Sequence, residues 1–359
     1  MSELPVIAVS GLHRGENPQP GPAVIRSIRR RFPKSRFVGL SYDPLESGLF
    51  SAAEDALESA YSMPFPATGP DALLARIDEI RQEVPLGMIM PCLDAELPNY
   101  IHLLDELEAR NIKTVLPSAV SFARRGKDAL AALGQAALIY VPATIPVYDL
   151  AAAYGAGASI GYPLIAKGRL YEAKKVHSPS EMADAFNALT SVWGGPMLVQ
   201  SYLSGEEYDV VGVGDGQGGI VASCSIRKLL LTKTGKAFSG VVVKDPELDA
   251  IVRRIISALQ WNGPFELEFI LSPHGYGLIE VNPRFPAWCD FPSQIGVNLP
   301  AAVLETALGR RRSPIATAVP GHLFIRHSVD IVGDIAEVAE MSITGALRRN
   351  DASLEHEVA

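Results

Sequence analysis

The order of apolar and polar positions divides the first third of the chain into alternating strands and helices. Short apolar runs predict strands, and apolar positions that recur every three or four residues predict helices. The predicted strands are Pro5–Ser10, Phe37–Leu40, Leu86–Met90 and Thr114–Leu116. The predicted helices are Ala23–Arg31, a helix with the apolar stripe Leu73, Leu74, Ile77 and Ile80, and Glu96–Arg110. Because strands that alternate with helices form parallel sheets with right-handed crossovers, the pattern predicts a Rossmann-like domain.

A different pattern, strict alternation, runs through the stretch from Gly263 to Trp288. Two runs, Phe265–Leu271 and Gly277–Val281, flank a turn rich in Ser, Pro, His and Gly, and they predict a β-hairpin. Successive side chains of a strand point to opposite faces. One face of the predicted hairpin is apolar and suited to burial, with Phe265, Leu267, Phe269 and Leu271.

The other face of the hairpin is polar and carries Glu266, Glu268, Glu280 and Asn282. Pairing centred on the turn places Glu268 opposite Glu280 and Glu266 opposite Asn282. Like charges across a hairpin are destabilising, so we expect a cation between them. Mg²⁺ prefers such oxygen ligands, and Arg284 adds a fork of donors for an anion. The alternative is an exposed polar face in which Arg284 pairs with a glutamate.

Composition narrows the class of protein. A chain of 359 residues can hold two or three subdomains, and 48% hydrophobic with 20% charged residues is typical of soluble globular proteins. The net charge of −8 argues against a nucleic-acid-binding protein. Cys92, Cys224 and Cys289 lack metal-ligand spacing and fit a reducing compartment. With no signal-peptide pattern and no apolar run long enough to cross a bilayer, we expect a cytoplasmic protein.

The stretch EFILSPHGYGLIEVNPRF resembles the metal-binding end of the ATP-grasp superfamily, in its carbamoyl-phosphate-synthetase-like branch. The resemblance covers roughly residues 5–311. It implies an α/β architecture in which a Rossmann-like parallel-sheet domain precedes a two-subdomain ATP-grasp fold. The implied division is residues 1–118 for the first domain, 119–195 for the lid subdomain, 196–320 for the subdomain with the metal site, and 321–359 for a C-terminal extension.

The resemblance also implies cofactors and site residues. The cofactors are ATP and Mg²⁺, with Mn²⁺ as an alternative. The implied metal ligands are Glu268, Glu280 and Asn282, and the implied catalytic residues are Arg284, for the carboxylate and then the acyl phosphate, and Lys228, for the triphosphate. The implied nucleotide-binding residues are Lys127 and Lys167 for the phosphates, Gln200, Tyr202 and Leu203 for adenine, and Glu207 for the ribose.

Two regions leave alternatives open. The segment 168–176, GRLYEAKKV, holds a single glycine where many ATP-grasp enzymes carry a glycine-rich lid, and it offers Arg169, Lys174 and Lys175 instead. In the first domain, four polar residues follow predicted strands at the end of the sheet where ligands gather: His13, Arg14, Asp94 and Glu96. They could hold an acceptor substrate or cap their own loops.

The resemblance implies a ligase that activates a carboxylate as an acyl phosphate and joins it to an amine, with release of ADP and phosphate. The alternatives are a non-catalytic nucleotide-binding module and a kinase that stops at phosphoryl transfer. The expected partners are small-molecule carboxylate and amine substrates, with neither nucleic acid nor a membrane, and a homodimer is left open. The sequence identifies neither substrate.

Overall fold

The computed structural model describes residues 4–13, 15, 17–51, 54–168, 172–233, 235–310 and 315–349. Its strands, numbered β1 to β15, are Val6–Ser10, Phe37–Ser41, Ser59–Ser62, Leu86–Met90, Thr144–Val147, Leu164–Lys167, Ala173–Val176, Met197–Ser201, Glu206–Asp215, Ile220–Leu231, Ala237–Val242, Asn262–Ser272, Gly275–Asn282, Leu323–Ile325 and Ala346–Arg348. They form three sheets.

The helices, numbered α1 to α12, are Gly21–Arg31, Pro70–Glu83, Leu97–His102, Leu104–Ala109, Ala119–Arg124, Leu130–Ala137, Leu150–Ile160, Pro179–Trp193, Pro246–Leu259, Asp290–Gln294, Leu299–Ala307 and Ile335–Thr344. Within these described ranges, no helix is both long enough and apolar enough to span a membrane. Helix α8 begins at a serine cap, since the Ser178 hydroxyl accepts a hydrogen bond from the backbone N–H of Glu181.

The first sheet has the order β15-β3-β2-β1-β4. Its four strands from the first hundred residues are parallel, as predicted, and β15 adds an antiparallel edge. The prediction of one helix over Glu96–Arg110 was wrong, because the helix is interrupted at Leu103 between α3 and α4. The prediction of a strand at Thr114–Leu116 was also wrong. Only Lys113 bridges Met88, and the next carbonyl groups turn elsewhere, that of Leu116 accepting a hydrogen bond from the side chain of Asn262.

The second sheet has four strands in the order β5-β8-β6-β7. It contains β8, which the predicted boundary at residue 195 had assigned to the following subdomain. Helices α7 and α8 supply its apolar core, in which Ala153, Ala156, Met182, Ala185 and Leu189 are buried.

The third sheet has six strands in the order β13-β12-β9-β10-β11-β14 and carries the predicted hairpin as β12 and β13. The apolar side chains of β12 pack against one face of α9, whose buried residues are Leu248, Ile251, Val252, Ile255, Ile256 and Leu259. This burial fixes which face of the hairpin points away from the core, since a slip of one residue would exchange the two faces.

The C-terminal extension connects two of the sheets. Strand β14 pairs with β11 of the third sheet, and β15 pairs with β3 at the edge of the first. Between them α12 begins at an aspartate cap, where the Asp334 carboxylate accepts a hydrogen bond from the N–H of Ala336. The chain thus returns to its amino-terminal sheet after completing the third one.

Candidate active site

The polar face of the hairpin has the predicted register. Glu268 pairs with Glu280, and Glu266 pairs with Asn282. A bulge follows Glu268, between it and Phe269. Four polar groups therefore line one face of two adjacent strands, while Phe265, Leu267 and Phe269 are fully buried on the other.

Strand β9 adds a carboxylate that sequence reasoning missed. It pairs with β12 so that Asp209 lies beside Glu268. Carboxylate oxygens of Asp209, Glu266 and Glu268 lie within 4.8 Å of one another, an arrangement that could hold a metal ion. The available pattern was the alternation of Glu207 and Asp209, which places both on one face of β9. Because carboxylate oxygens are the ligands of hard divalent cations, this group fits Mg²⁺.

The three predicted metal ligands have different surroundings. Glu268 belongs to this carboxylate group, whereas Glu280 lies 3.3 Å from the ammonium of Lys127. The amide nitrogen of Asn282 donates hydrogen bonds to Glu266 and Glu268, at 3.1 and 2.9 Å. Ligation by Asn282 requires the amide to flip, so that its oxygen faces the ion. The predicted ligand set stays a prediction.

Lys228 lies among the carboxylates. Its ammonium is 2.8 Å from Glu268, 3.0 Å from Asp209 and 3.3 Å from Glu207, and its side chain is 2% exposed. Burial by itself lowers the pKa of Lys228, but the carboxylates outweigh burial and raise that pKa well above its usual value. Burial likewise works to raise the pKa of Glu268, and Lys228 brings it below the ordinary range. The predicted ribose ligand, Glu207, and the predicted triphosphate ligand are thus engaged with each other.

Arg284 is divided between two carboxylates. Its Nε donates to Asp94 at 3.0 Å and its Nη1 to Glu266 at 2.9 Å. Asp94 follows β4 of the first sheet, so this guanidinium links that sheet to the hairpin. Sequence reasoning assigned Arg284 to a substrate carboxylate, and in the structure protein carboxylates take these donors. Burial raises the pKa of Glu266 even though Arg284 opposes the shift.

Lys167 reaches from the second sheet to the third. It ends β6, and its ammonium lies 3.4 Å from the carbonyl of Ile279 on β13. The residue is 8% exposed, and within the described chain no carboxylate lies at ion-pair distance from it. Burial therefore lowers the pKa of Lys167, with Glu280 acting against the shift. Lys127, the other predicted phosphate ligand, meets the same glutamate, so both lysines converge on the hairpin.

The predicted adenine residues lie where β8 ends. The side chain of Gln200 is buried and donates to the Thr144 hydroxyl at 2.9 Å. The ring of Tyr202 lies beneath the ammonium of Lys175, 3.8 Å from the ring centroid. Leu203 packs on Gly277 of the hairpin, where an added Cβ would come within 2.5 Å of it. Residues 169–171 of the predicted lid lie outside the described residues.

The candidate acceptor residues of the first sheet have separate roles. Glu96 is fully buried, and it accepts hydrogen bonds from Ser10, from Tyr42 at 2.7 Å and from the backbone N–H groups of Cys92 and Leu93. It therefore caps its own loop. Asp94 pairs with Arg284, His13 lines a cavity at the carboxyl ends of the first sheet, and Arg14 lies outside the described residues.

Two further cations near the site were missed by sequence reasoning. Burial lowers the pKa of Lys236, which also interacts with Arg284, Glu266 and Asp94. Burial lowers the pKa of Arg326 too, while Glu266 raises it. Neither has a local sequence pattern, because long-range pairing of β10, β11 and β14 positions them.

Comparisons with known proteins identify one matching family and a set of relatives. The family described as "ATP-grasp in the biosynthetic pathway with Ter operon" matches residues 195–327. The arginine-specific large chain of carbamoyl phosphate synthase from Lactiplantibacillus plantarum is 25% identical over 248 residues, which is 64% of this chain and 23% of that protein. The chain therefore spans about a quarter of the length of this curated relative.

Solved structures extend the likeness over most of the chain. An L-amino acid ligase from Bacillus licheniformis superposes with a TM-score of 0.63 at 17% identity, covering 86% of this chain and 75% of that chain. A second structure is the biotin carboxylase domain dimer of 2-oxoglutarate carboxylase from Hydrogenobacter thermophilus, solved with MgADP, ADP and bicarbonate. It superposes with a TM-score of 0.66 at 18% identity, covering 87% of this chain and 72% of that chain. These likenesses confirm the predicted fold.

Proposed function

We propose that the chain is an ATP-dependent ligase of the ATP-grasp superfamily, which activates a carboxylate as an acyl phosphate and joins it to an amine. ADP and phosphate are the other products. ATP, Mg²⁺, the small-molecule substrates and a homodimer are parts of this proposal, as the chain spans only part of its curated relative.

The observation that carries the proposal is Lys167. An ammonium buried between two sheets is costly when the described chain offers it one carbonyl at 3.4 Å, and a phosphate group would satisfy it. Lys127 lies beside the same glutamate, and the carboxylates of Asp209, Glu266 and Glu268 lie on the neighbouring strands. Lysines can bind the phosphates of a nucleoside triphosphate, and the grouped carboxylates next to them can bind its divalent cation.

The residues would divide the work as follows. Lys127 and Lys167 hold phosphate oxygens, and Glu268 with Glu280 and Asn282, supported by Glu266 and Asp209, holds the cation. Bound Mg²⁺ supplies charge neutralisation for the transferring phosphoryl group. Arg284 stabilises the substrate carboxylate and the acyl phosphate once Asp94 or Glu266 releases one of the N–H donors of the Arg284 guanidinium.

Product analysis tests the proposal. We expect ADP and phosphate in equal amounts with a suitable carboxylate and amine, and a hydroxamate when hydroxylamine replaces the amine. A non-catalytic module would release neither product, and a kinase would form a phosphorylated product without the amide. Release of AMP and pyrophosphate would contradict the acyl-phosphate route.

A substitution at the hairpin provides a second test. Glu280→Gln should lower turnover by about a hundredfold while the fold is retained, comparable to the loss of one major electrostatic stabiliser. Glu247→Gln, at an exposed position in the first turn of α9, is the control and should behave like the native protein. Normal turnover of the Glu280 variant would remove the hairpin from the active site.

A further inference from the structure

A cavity opens at the carboxyl ends of the first sheet. Its volume is about 780 Å³, which is in the range of small-molecule sites. Loops after β1 and β2 form one side, and the C-terminal extension from Arg326 to Val338 forms the other. The carboxyl ends of parallel strands are where ligands of such sheets bind. None of the residues predicted to bind nucleotide or metal lines it.

The cavity adjoins the candidate active site. Ala287, three residues beyond Arg284, is part of its wall, and so is Arg326. Arg326 follows β14, and its backbone N–H donates to the carbonyl of Phe238 at 3.0 Å, which fixes the start of its side chain. Its guanidinium also interacts electrostatically with Glu266 of the carboxylate group.

The two arginines of the wall differ in their partners. Arg26 donates to Asp55 at 3.0 Å and to Asp290 at 3.4 Å, so its charge is balanced within the protein. For Arg326, no side-chain hydrogen bond or ion pair is formed with the rest of the described chain. Burial lowers the pKa of Arg326, as expected for a guanidinium with little water and no paired acid. An anionic group in the cavity would supply the missing partner.

The rest of the wall combines polar residues, among them His13, Asp330 and Asp334, with a group of apolar side chains. Leu45 and Ile335 are 65% and 77% exposed, so these large side chains face open space. Phe50 and Val338 complete this side. At Gly333 an added Cβ would lie 2.8 Å from the Phe50 ring, so the extension lies directly against the loop after β2. The apolar group of Leu45, Phe50, Ile335 and Val338 suits the apolar body of a ligand.

We propose that this cavity binds the carboxylate substrate, with the carboxylate group at Arg326 and an aliphatic or aromatic body against the wall of Leu45, Phe50, Ile335 and Val338. The inference rests on the proposed function, and it names the substrate class as an organic acid with an apolar body. It also makes the C-terminal extension a determinant of specificity.

Binding of simple acids tests the pocket without requiring turnover. Calorimetry would titrate the full chain, with Mg²⁺ and ADP present, with straight-chain acids from acetate to octanoate. We expect affinity to rise by about fourfold for each added methylene that is buried. Hexylamine, which has a similar body and the opposite charge, should bind more weakly than hexanoate.

Two variants separate the anion contact from the wall. Arg326→Gln should weaken the binding of acetate and the binding of octanoate by the same factor, about tenfold or more, because a charge-assisted hydrogen bond is lost. Ile335→Glu should weaken the binding of octanoate far more than the binding of acetate. Ile343→Glu, on the same helix and 83% exposed but outside the cavity, is the matched control, and Arg253→Gln on the exposed face of α9 controls the arginine change.

Several results would contradict the proposal that this cavity binds the carboxylate substrate. They are the absence of binding for every acid, affinity that does not depend on chain length, stronger binding of hexylamine than of hexanoate, or equal effects of the Ile335 and Ile343 variants. None of these depends on ATP turnover. Failure of the ligase proposal would appear separately, as absence of ADP release under the same conditions.

Discussion

At the scale of single residues, a buried acid next to the cavity illustrates the cost of burial without a full set of partners. Glu46 is 5% exposed, and its Oε2 has no hydrogen-bond partner among the described residues. Burial raises the pKa of Glu46 to about 7, although Ser41 and backbone N–H groups oppose the shift. Between the ordinary value of 4.5 and about 7, the folded protein therefore holds a proton that the unfolded chain has released. The ionisation of Glu46 therefore lowers the stability of the folded protein as pH rises through this window.

Glu46→Gln should consequently stabilise the protein above pH 7 by about 3 kcal/mol and give no advantage below pH 4.5. Urea denaturation at a series of pH values would measure the difference from the native protein. Glu54→Gln, at an exposed position on a nearby loop, is the control and should show no such trend. A difference that stays constant with pH would contradict the expected ionisation of Glu46.

Lys167 gives a second prediction at this scale. Lys167→Ala should weaken binding of Mg·ATP by about tenfold or more, since a charge-assisted contact to phosphate is lost. Lys34 is exposed on the turn before β2, away from the predicted site residues, so Lys34→Ala controls for loss of positive charge. Calorimetry with Mg·ATP would compare them. Equal losses in both variants would indicate a general charge effect.

At the scale of elements, local patterns were sufficient for the hairpin. The turn and the alternation together determine which residues of β12 and β13 face each other, as for Glu268 and Glu280. They contain no information on β9, whose pairing with β12 brings in Asp209 from far along the chain. The same limit explains the missed strand at Ser59–Ser62, a short polar run that is a strand because β2 and β15 flank it.

Strand β15 allows the value of such a distant element to be measured. Leu347 is 3% exposed and joins the core of the first sheet, so Leu347→Ala should destabilise the protein by about 2–4 kcal/mol. Its neighbour Arg348 forms an exposed ion pair with Glu83 at 2.7 Å, and Arg348→Ala should cost about 1 kcal/mol or less. Denaturation midpoints would compare the two. Equal effects would mean that β15 is held by charge rather than by burial.

At the scale of the whole molecule, the polar face of the hairpin meets all three sheets. Lys167 arrives from the second sheet and Asp94 from the first, while Asp209 lies on the third. The sequence motif identified the hairpin residues of this meeting point. It could not show that protein carboxylates take the donors of Arg284, because Asp94 lies 190 positions away in the chain.

The shared position of Arg284 leads to the last prediction. Arg284→Lys keeps the positive charge but loses the fork, so one ammonium must serve Asp94, Glu266 and any substrate anion. We expect kcat to fall by about tenfold to a hundredfold, because the lost contacts matter most where charge develops. Affinity for Mg·ATP should change little, since Lys127 and Lys167 are expected to hold the phosphates. Steady-state ADP release and calorimetry would separate the two quantities. Weakened ATP binding with unchanged kcat would instead assign Arg284 to the nucleotide, and the carboxylate would then depend on Arg326 alone.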